Sequence, residues 1–230
     1  KPVLVKLELG SRQRKGEYTS ANVIGEIPGH ESPDEVVAIG GHLDSWDLGT
    51  GAIDDGAGIA ITMSAGAMIG RLATPPKRTI RVIAFANEEQ GIYGGKHYAQ
   101  THKDRLAQHV LGAESDFGSG RIWRLSSRVA ESALPVVDQI HSVLAPLGIE
   151  RGDNLASGGA DFSAMRDFGM PILALNQDGT NYFDYHHTAA DTLDKIDATD
   201  LDHNVAAYAA MAWLAAQAGP VFGPLPPKAQ

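Results

Sequence analysis

The chain has 230 residues, 43% hydrophobic and 20% charged, a globular composition with material for one sizeable core, which excludes disorder as its main state. Lys plus Arg number 19 against 28 Asp plus Glu, a formal charge of −9, so a phosphate backbone is a poor partner and nucleic acid is not expected. With 0 Cys there are neither disulfides nor thiolate metal sites, and His, Asp and Glu are left as the strong metal ligands.

No apolar run approaches the ~20 residues needed to span a bilayer, and KPVLVKLELG carries charge inside its apolar stretch, unlike a signal peptide. The opening at Lys1, directly in a strand-like alternation, suggests a piece of a longer protein, with residues 1–20 the remnant of a junction to a further N-terminal or inserted domain. Alternation over residues 3–9 and again over 21–27 predicts two strands near a sheet edge, separated by KGEYTS and followed by the turn material PGHESPDE. Residues 35–41, EVVAIGG, read as a strand buried on both faces that ends at His42. Residues 57–72 lack charge until Arg71 and predict a buried helix stopped at Ala73-Thr74-Pro75-Pro76. A strand over 79–86, a helix over 91–102 and strands over 109–114 and 121–126 follow. After them come a helix over 135–144 closed by Pro146 and Gly148, a short helix from Asp161 and a strand over 171–176. A loop then runs to about Ile196, before an Ala-rich helix over 201–218 and a Pro-rich tail over 219–230. Strands alternating with helices, without an internal repeat or a composition break, predict one domain over 1–230: a three-layer α/β/α sandwich on a mixed, largely parallel sheet.

In open α/β sheets ligands bind beyond the carboxyl ends of the strands. That filter selects His42 and Asp44, Glu88 and Glu89, Glu114 and Asp116, and the loop pair His186-His187, to which Asp54-Asp55 adds itself before a glycine-punctuated helix start. Oxygen and imidazole donors without sulfur suit zinc, manganese or cobalt, and a two-metal site needs a carboxylate bridging ions ~3.5–4 Å apart, a task for Asp54 or Asp55. Neighbouring Glu88 and Glu89 point in different directions and so can divide metal binding from proton transfer. Asp44, two residues past His42, is placed to accept that histidine's second ring proton. Plainer roles exist for each: a helix cap for Asp54-Asp55, a charged first turn for Glu88-Glu89, and packing against Tyr182, Phe183 and Tyr185 for His186-His187. His30, His97, His102, His109, His141 and His203 lack a partnered carboxylate motif and read as structural or solvated. The glycines around Ser119 and Ser157 lack the Lys-Ser/Thr of a phosphate loop, and Ser45 and Ser157 lack the G-x-S-x-G elbow of a serine hydrolase.

The four segments GHLDSWDLGTGAIDDGAGIA, FANEEQGIYGG, LGAESDFG and YHHTAADT, in this order, resemble the zinc exopeptidases with co-catalytic metals, in particular the carboxypeptidase Q branch, from Val23 to about Trp213. The resemblance implies two zinc ions bridged by Asp54, one completed by His42 and Asp116, the other by Glu89 and His187. It further implies Glu88 as general base, Asp44 as orienter of His42, and a cis Asp54-Asp55 peptide. His187 is preferred to His186 because it directly precedes the Thr-x-x-Asp-Thr stretch at residues 188–192. The implied activity is hydrolysis of dipeptides or short peptides with free termini, by a periplasmic or secreted enzyme that a homodimer would suit. A metal-free receptor-like relative and a single-zinc glutaminyl cyclase are the alternatives, against which all five ligand positions hold competent residues. Substrate contacts are expected from Gly158, Gly159 and Asp161, where glycines let backbone approach, and from Tyr182 and Tyr185, as rigid apolar walls bearing hydroxyls.

Overall fold

In the computed structural model, which describes residues 2–226 apart from 11, 13, 14, 220 and 221, the run before His42 forms β2 (Ser32–His42), buried from Val36 onward. Successive side chains of a strand point to opposite faces. Val36 and Ala38 accordingly pack with Ile83, Phe85 and Phe162, while Val37 and Ile39 pack with Ile61, Ala65 and Tyr208. Both faces are covered, which is why this strand reads as continuously apolar.

Among the described residues the sheet has seven strands in the order β1-β3-β2-β4-β7-β5-β6. The others are β1 (Val23–Ile27), β3 (Arg78–Phe85), β4 (His109–Glu114), β5 (Ile122–Arg128), β6 (Glu150–Arg151) and β7 (Ile172–Gln177). β2 runs parallel to β3 and β4, β4 to β7, and β5 to β6, while β1 on β3 and β5 on β7 are antiparallel. Helices α1 (Ala57–Gly70), α3 (Leu134–Leu144) and α6 (Ala198–Gln217) cover one face, and α2 (Tyr93–Thr101) and α4 (Asp161–Arg166) the other. This is the three-layer, mixed and largely parallel architecture that the alternation predicts. Among the described residues no helix is long and apolar enough to cross a membrane.

Three local differences have physical causes. Residues 3–9 form no strand: they carry no regular structure, and their apolar side chains Val3, Leu4, Val5, Leu7 and Leu9 all lie exposed, so no neighbouring face buries the alternation and fixes it as a strand. Helix α6 begins at Ala198 rather than 201, because the Asp197 carboxylate accepts the Thr199 and Asp200 N–H groups at 2.8 and 3.1 Å and caps it there. The two-residue β6 is too short to show a period and exists through its pairing with Arg124 and Leu125.

His109, at the start of β4, is buried, its Nε2 2.7 Å from the Tyr98 hydroxyl and its Nδ1 3.2 Å from the Arg105 carbonyl. Burial, reinforced by the nearby Arg81 and His102, pushes its pKa down to about 4. The unfolded chain, with histidine near 6.5, therefore binds a proton that the native state refuses, and stability falls as pH drops from about 6.5 to 4. The contribution lost is about 3 kcal/mol. His109→Gln is expected to flatten this part of the stability profile in denaturant titrations at pH 7 and pH 4.5; an unchanged pH dependence would disprove the assignment.

Candidate active site

Because β2, β3 and β4 are parallel neighbours, their carboxyl ends lie side by side, and the residues that follow them meet there. His42 closes β2, Glu88 and Glu89 follow β3, and Asp116 follows β4. Asp54 comes from the wound turn Ala52–Gly56 before α1, and His187 from the loop after the short helix α5 (Tyr182–Tyr185). Asp54 occupies the centre. Its Oδ1 is 3.1 Å from His42 Nε2, which is also 3.3 Å from Asp116 Oδ1. Its Oδ2 is 3.1 Å from His187 Nε2, which in turn lies 2.9 Å from Glu89 Oε2. The two oxygens of one carboxylate thus face two different histidines, each with a second carboxylate beside it. His186 makes a single approach, 3.5 Å to Asp54 Oδ2, and stacks on the His187 ring at 3.5 Å.

The aspartate pair divides its labour. Asp55 is the structural member: Oδ2 accepts the His42 N–H at 2.9 Å and Oδ1 the Gly58 N–H at 3.1 Å, at the start of α1. Its carboxylate is wedged between Gly41 and Gly58, where a Cβ on either would overlap it. The peptide between Asp54 and Asp55 is cis, as the resemblance implies, and so is that between Asp47 and Leu48.

Asp44 acts differently from the expectation. The ring proton on His42 Nδ1 goes to the Asp44 main-chain carbonyl at 2.9 Å, while the carboxylate stays 3.8 Å away. The carboxylate is occupied elsewhere, accepting the Glu88 N–H at 2.9 Å and the Glu89 N–H at 3.2 Å. One residue therefore fixes the tautomer of His42 with its backbone and holds both glutamates with its side chain. Asp191, which carries no role in the sequence reading, does a similar thing for Asp54, accepting the Ile53 and Asp54 N–H groups at 2.6 and 3.1 Å. The only signal for it in the sequence is its place in the stretch after His187.

The residues expected to touch substrate are dispersed. A Cβ at Gly158 (φ +98) would crowd the Ile172 side chain, and Gly159 (φ +78) leaves no room for a Cβ beside the Glu114 carboxylate. That carboxylate accepts the Asp161 and Phe162 N–H groups, both at 3.1 Å. Asp161 is fully buried where α4 meets α2, with Oδ1 accepting the Gly95 N–H at 2.9 Å and Oδ2 without a hydrogen-bond partner. Tyr182 does border the cluster: buried, stacked on Phe117 at 4.5 Å and tilted on His186 at 4.8 Å. Burial and the Asp54 charge push its hydroxyl well above the ordinary range. Tyr185 lines with Tyr182, Ile53 and Phe117 a cavity of about 250 Å³ next to the cluster. Trp46, of the HLDSWD segment, brings its indole to 5.7 Å from the His187 ring.

The electrostatics ask for a cation. Burial alone would lower the His42 pKa, yet its hydrogen bonds to Asp116 and Asp54 and the charge of Asp55 outweigh it and push the ring up to about 12. Burial raises Glu89 to about 7, with the Asp54 charge adding to it. Glu88 is raised as well, first by burial. Glu89 Oε1 is buried without a hydrogen-bond partner, a lone donor of the kind a metal ion satisfies. Donor atoms of His42, Asp54 and Glu89 lie within 4.8 Å of one another, as do those of Asp54, His186 and His187 and those of His42, Asp55 and Asp116. Asp55 has both oxygens engaged by N–H groups, which leaves Asp116 and Asp54 to face His42. Hard carboxylates and imidazoles without sulfur suit zinc.

A parallel-centred α/β sandwich with His and carboxylate donors converging at the strand ends is the fold of the zinc exopeptidases. A family model described as Peptidase family M28 matches residues 22–212, and the chain belongs to that family. It is 33% identical over 214 residues to carboxypeptidase Q of Rattus norvegicus, covering 93% of this chain and 45% of the relative. The chain thus spans less than half the length of that relative. Among solved structures, a Peptidase M28 precursor from Shewanella amazonensis shares 52% identity with a TM-score of 0.91, over 94% of this chain and 49% of that one. A glutaminyl cyclase from an Acidobacteriales bacterium, 23% identical with a TM-score of 0.63 over 86% of this chain and 74% of its own, shares the fold alone.

Proposed function

We propose that this chain is the catalytic domain of a zinc exopeptidase that hydrolyses dipeptides or short peptides with free termini. Two zinc ions would be held by His42, Asp54 and Asp116 and by Asp54, Glu89 and His187, with manganese or cobalt as metals the same donors accept. The observation that carries this is the divided Asp54 carboxylate, each oxygen 3.1 Å from a different histidine. When bound, zinc supplies Lewis acidity toward the scissile carbonyl and makes the attacking water more acidic. Glu88 takes the proton of that water and delivers it to the leaving amine, and its raised pKa suits a group that must both accept and release a proton. Asp44 holds Glu88 and Glu89 in place through their N–H groups. Tyr182 and Tyr185 border the cleft and the cavity beside it, where a substrate end is accommodated. This function belongs to the periplasm or the cell exterior, and a homodimer is compatible with it.

The test is a zinc titration of chelator-treated protein followed by assay of free and end-blocked dipeptides. Two zinc equivalents and a clear preference for the free dipeptide are expected. Full activity without metal, or equal cleavage of blocked and long peptides, would refute the proposal, and one zinc equivalent with cyclisation of N-terminal glutamine would replace it with a cyclase.

A further inference from the structure

The stretch that follows His187 has no part in the chemistry above, yet it contains a side chain in an unusual position. Asp191 is 4% exposed, and its carboxylate spans the chain to accept two consecutive amides, Ile53 N–H at 2.6 Å and Asp54 N–H at 3.1 Å. Its main-chain carbonyl accepts from Thr50 as well, the N–H at 2.7 Å and the hydroxyl at 3.1 Å. Four hydrogen bonds thus tie one residue to the segment that carries Asp54, two of them strengthened by a full negative charge.

The link between Asp191 and His187 is equally short. The Asp191 N–H donates to the Thr188 carbonyl at 3.2 Å, the Ala190 N–H to the Thr188 hydroxyl at 3.1 Å, and that hydroxyl to the Tyr185 carbonyl at 2.7 Å. Residues 187–191 are therefore a closed turn with the histidine at one end and the carboxylate at the other. His187 Nε2 then returns to Asp54 Oδ2 at 3.1 Å, so the contacts form a ring: His187, the turn, Asp191, the Asp54 backbone, the Asp54 carboxylate and His187 again. Such a ring leaves His187 little freedom relative to Asp54. The histidine gains from it, because it sits on a half-exposed loop with a left-handed backbone (φ 58), and apart from that ring of contacts it meets only side chains: the Glu89 carboxylate at 2.9 Å and the Trp46 and His186 rings. His42 needs no such device, since it belongs to a central strand and is fixed by the Asp44 carbonyl and the Asp55 carboxylate.

We infer that Asp191 is a positioning residue that locks the His187 turn to the Asp54 segment, and so sets the geometry of the Glu89-His187 half of the metal site separately from the His42-Asp116 half. The inference rests on the two-metal reading. In Asp191→Asn, one oxygen becomes an NH2 that faces an N–H, so one clamp bond is lost while size and the Thr50 contacts persist.

Calorimetric zinc titration of the full metal-free chain tests it, read beside the thermal midpoint of the same metal-free protein. One of two zinc steps should weaken by about 10–100-fold, the scale of losing an outer partner of a ligand, with the other step changed by no more than about twofold. Asp197→Ala, which removes the α6 cap, serves as the purely structural control: its midpoint should fall with both zinc steps preserved. Two intact steps in Asp191→Asn, or equal weakening of both, would overturn the inference while leaving the two-metal reading standing. A wild-type protein that binds fewer than two zinc ions would overturn both.

Discussion

Glu88→Gln is expected to lower kcat on a free dipeptide by about 10²–10⁴ while both zinc equivalents remain bound, the range for loss of a general base. Glutamine matches glutamate in size and polarity but cannot accept a proton. The anchor of this residue is untouched by the change, because Asp44 holds Glu88 by its main-chain N–H at 2.9 Å rather than by its side chain. The neighbour Glu89 cannot take over, for its Oε2 is 2.9 Å from His187 and its Oε1 is enclosed by protein. Metal content by elemental analysis, measured on the same preparation as the turnover number, separates the two roles. Near-normal rates would remove Glu88 from the proton path, and loss of zinc would make it a ligand instead.

The sheet is legible in the sequence wherever burial imposes a period. EVVAIGG reads as a two-faced strand because both of its faces are in fact covered, and the filter that looks just beyond strand ends finds His42, Glu88, Glu89 and Asp116 because β2, β3 and β4 run the same way. Residues 3–9 have the same alternation without a partner to bury it, and the pattern misleads. Periodicity does not separate His186 from His187; only the resemblance does, through the Thr-x-x-Asp-Thr stretch, and in the structure His187 Nε2 comes closer to Asp54 Oδ2, at 3.1 Å against 3.5 Å for His186. Asp191 is harder still: it works through amides 137 and 138 residues away, which any residue would supply, so neither end of the interaction carries a side-chain signature. The same holds for Asp44, whose carbonyl and carboxylate serve different neighbours while the sequence displays only its charge. The glycines near Ser157 mislead in the opposite sense, because close backbone approach is real there but is directed at Ile172 and Glu114.

Asp54→Ala should weaken both zinc steps at once, each by more than about 100-fold, beyond the 10–100-fold that an outer partner costs. Asp54 is nearly inaccessible, and its two oxygens divide between His42 Nε2 and His187 Nε2 at 3.1 Å each, so truncation strips one donor from each triad. Burial would favour protonating this carboxyl, but the facing histidines, His42 foremost, outweigh it and keep it below the ordinary carboxylate range, ready to bind a cation. His187→Ala should instead affect a single step, because His42 and Asp116 remain 3.3 Å apart on the other side of Asp54. The contrast distinguishes a bridge from a general loss of negative charge, which would shift both variants alike. Should Asp54→Ala spare one zinc step, the bridging role is wrong, and Asp55, already held by two amides, would have to be reconsidered as a ligand. Should His187→Ala abolish both steps, the two halves are not separate sites, and zinc binding is a single cooperative event spread over all five donors.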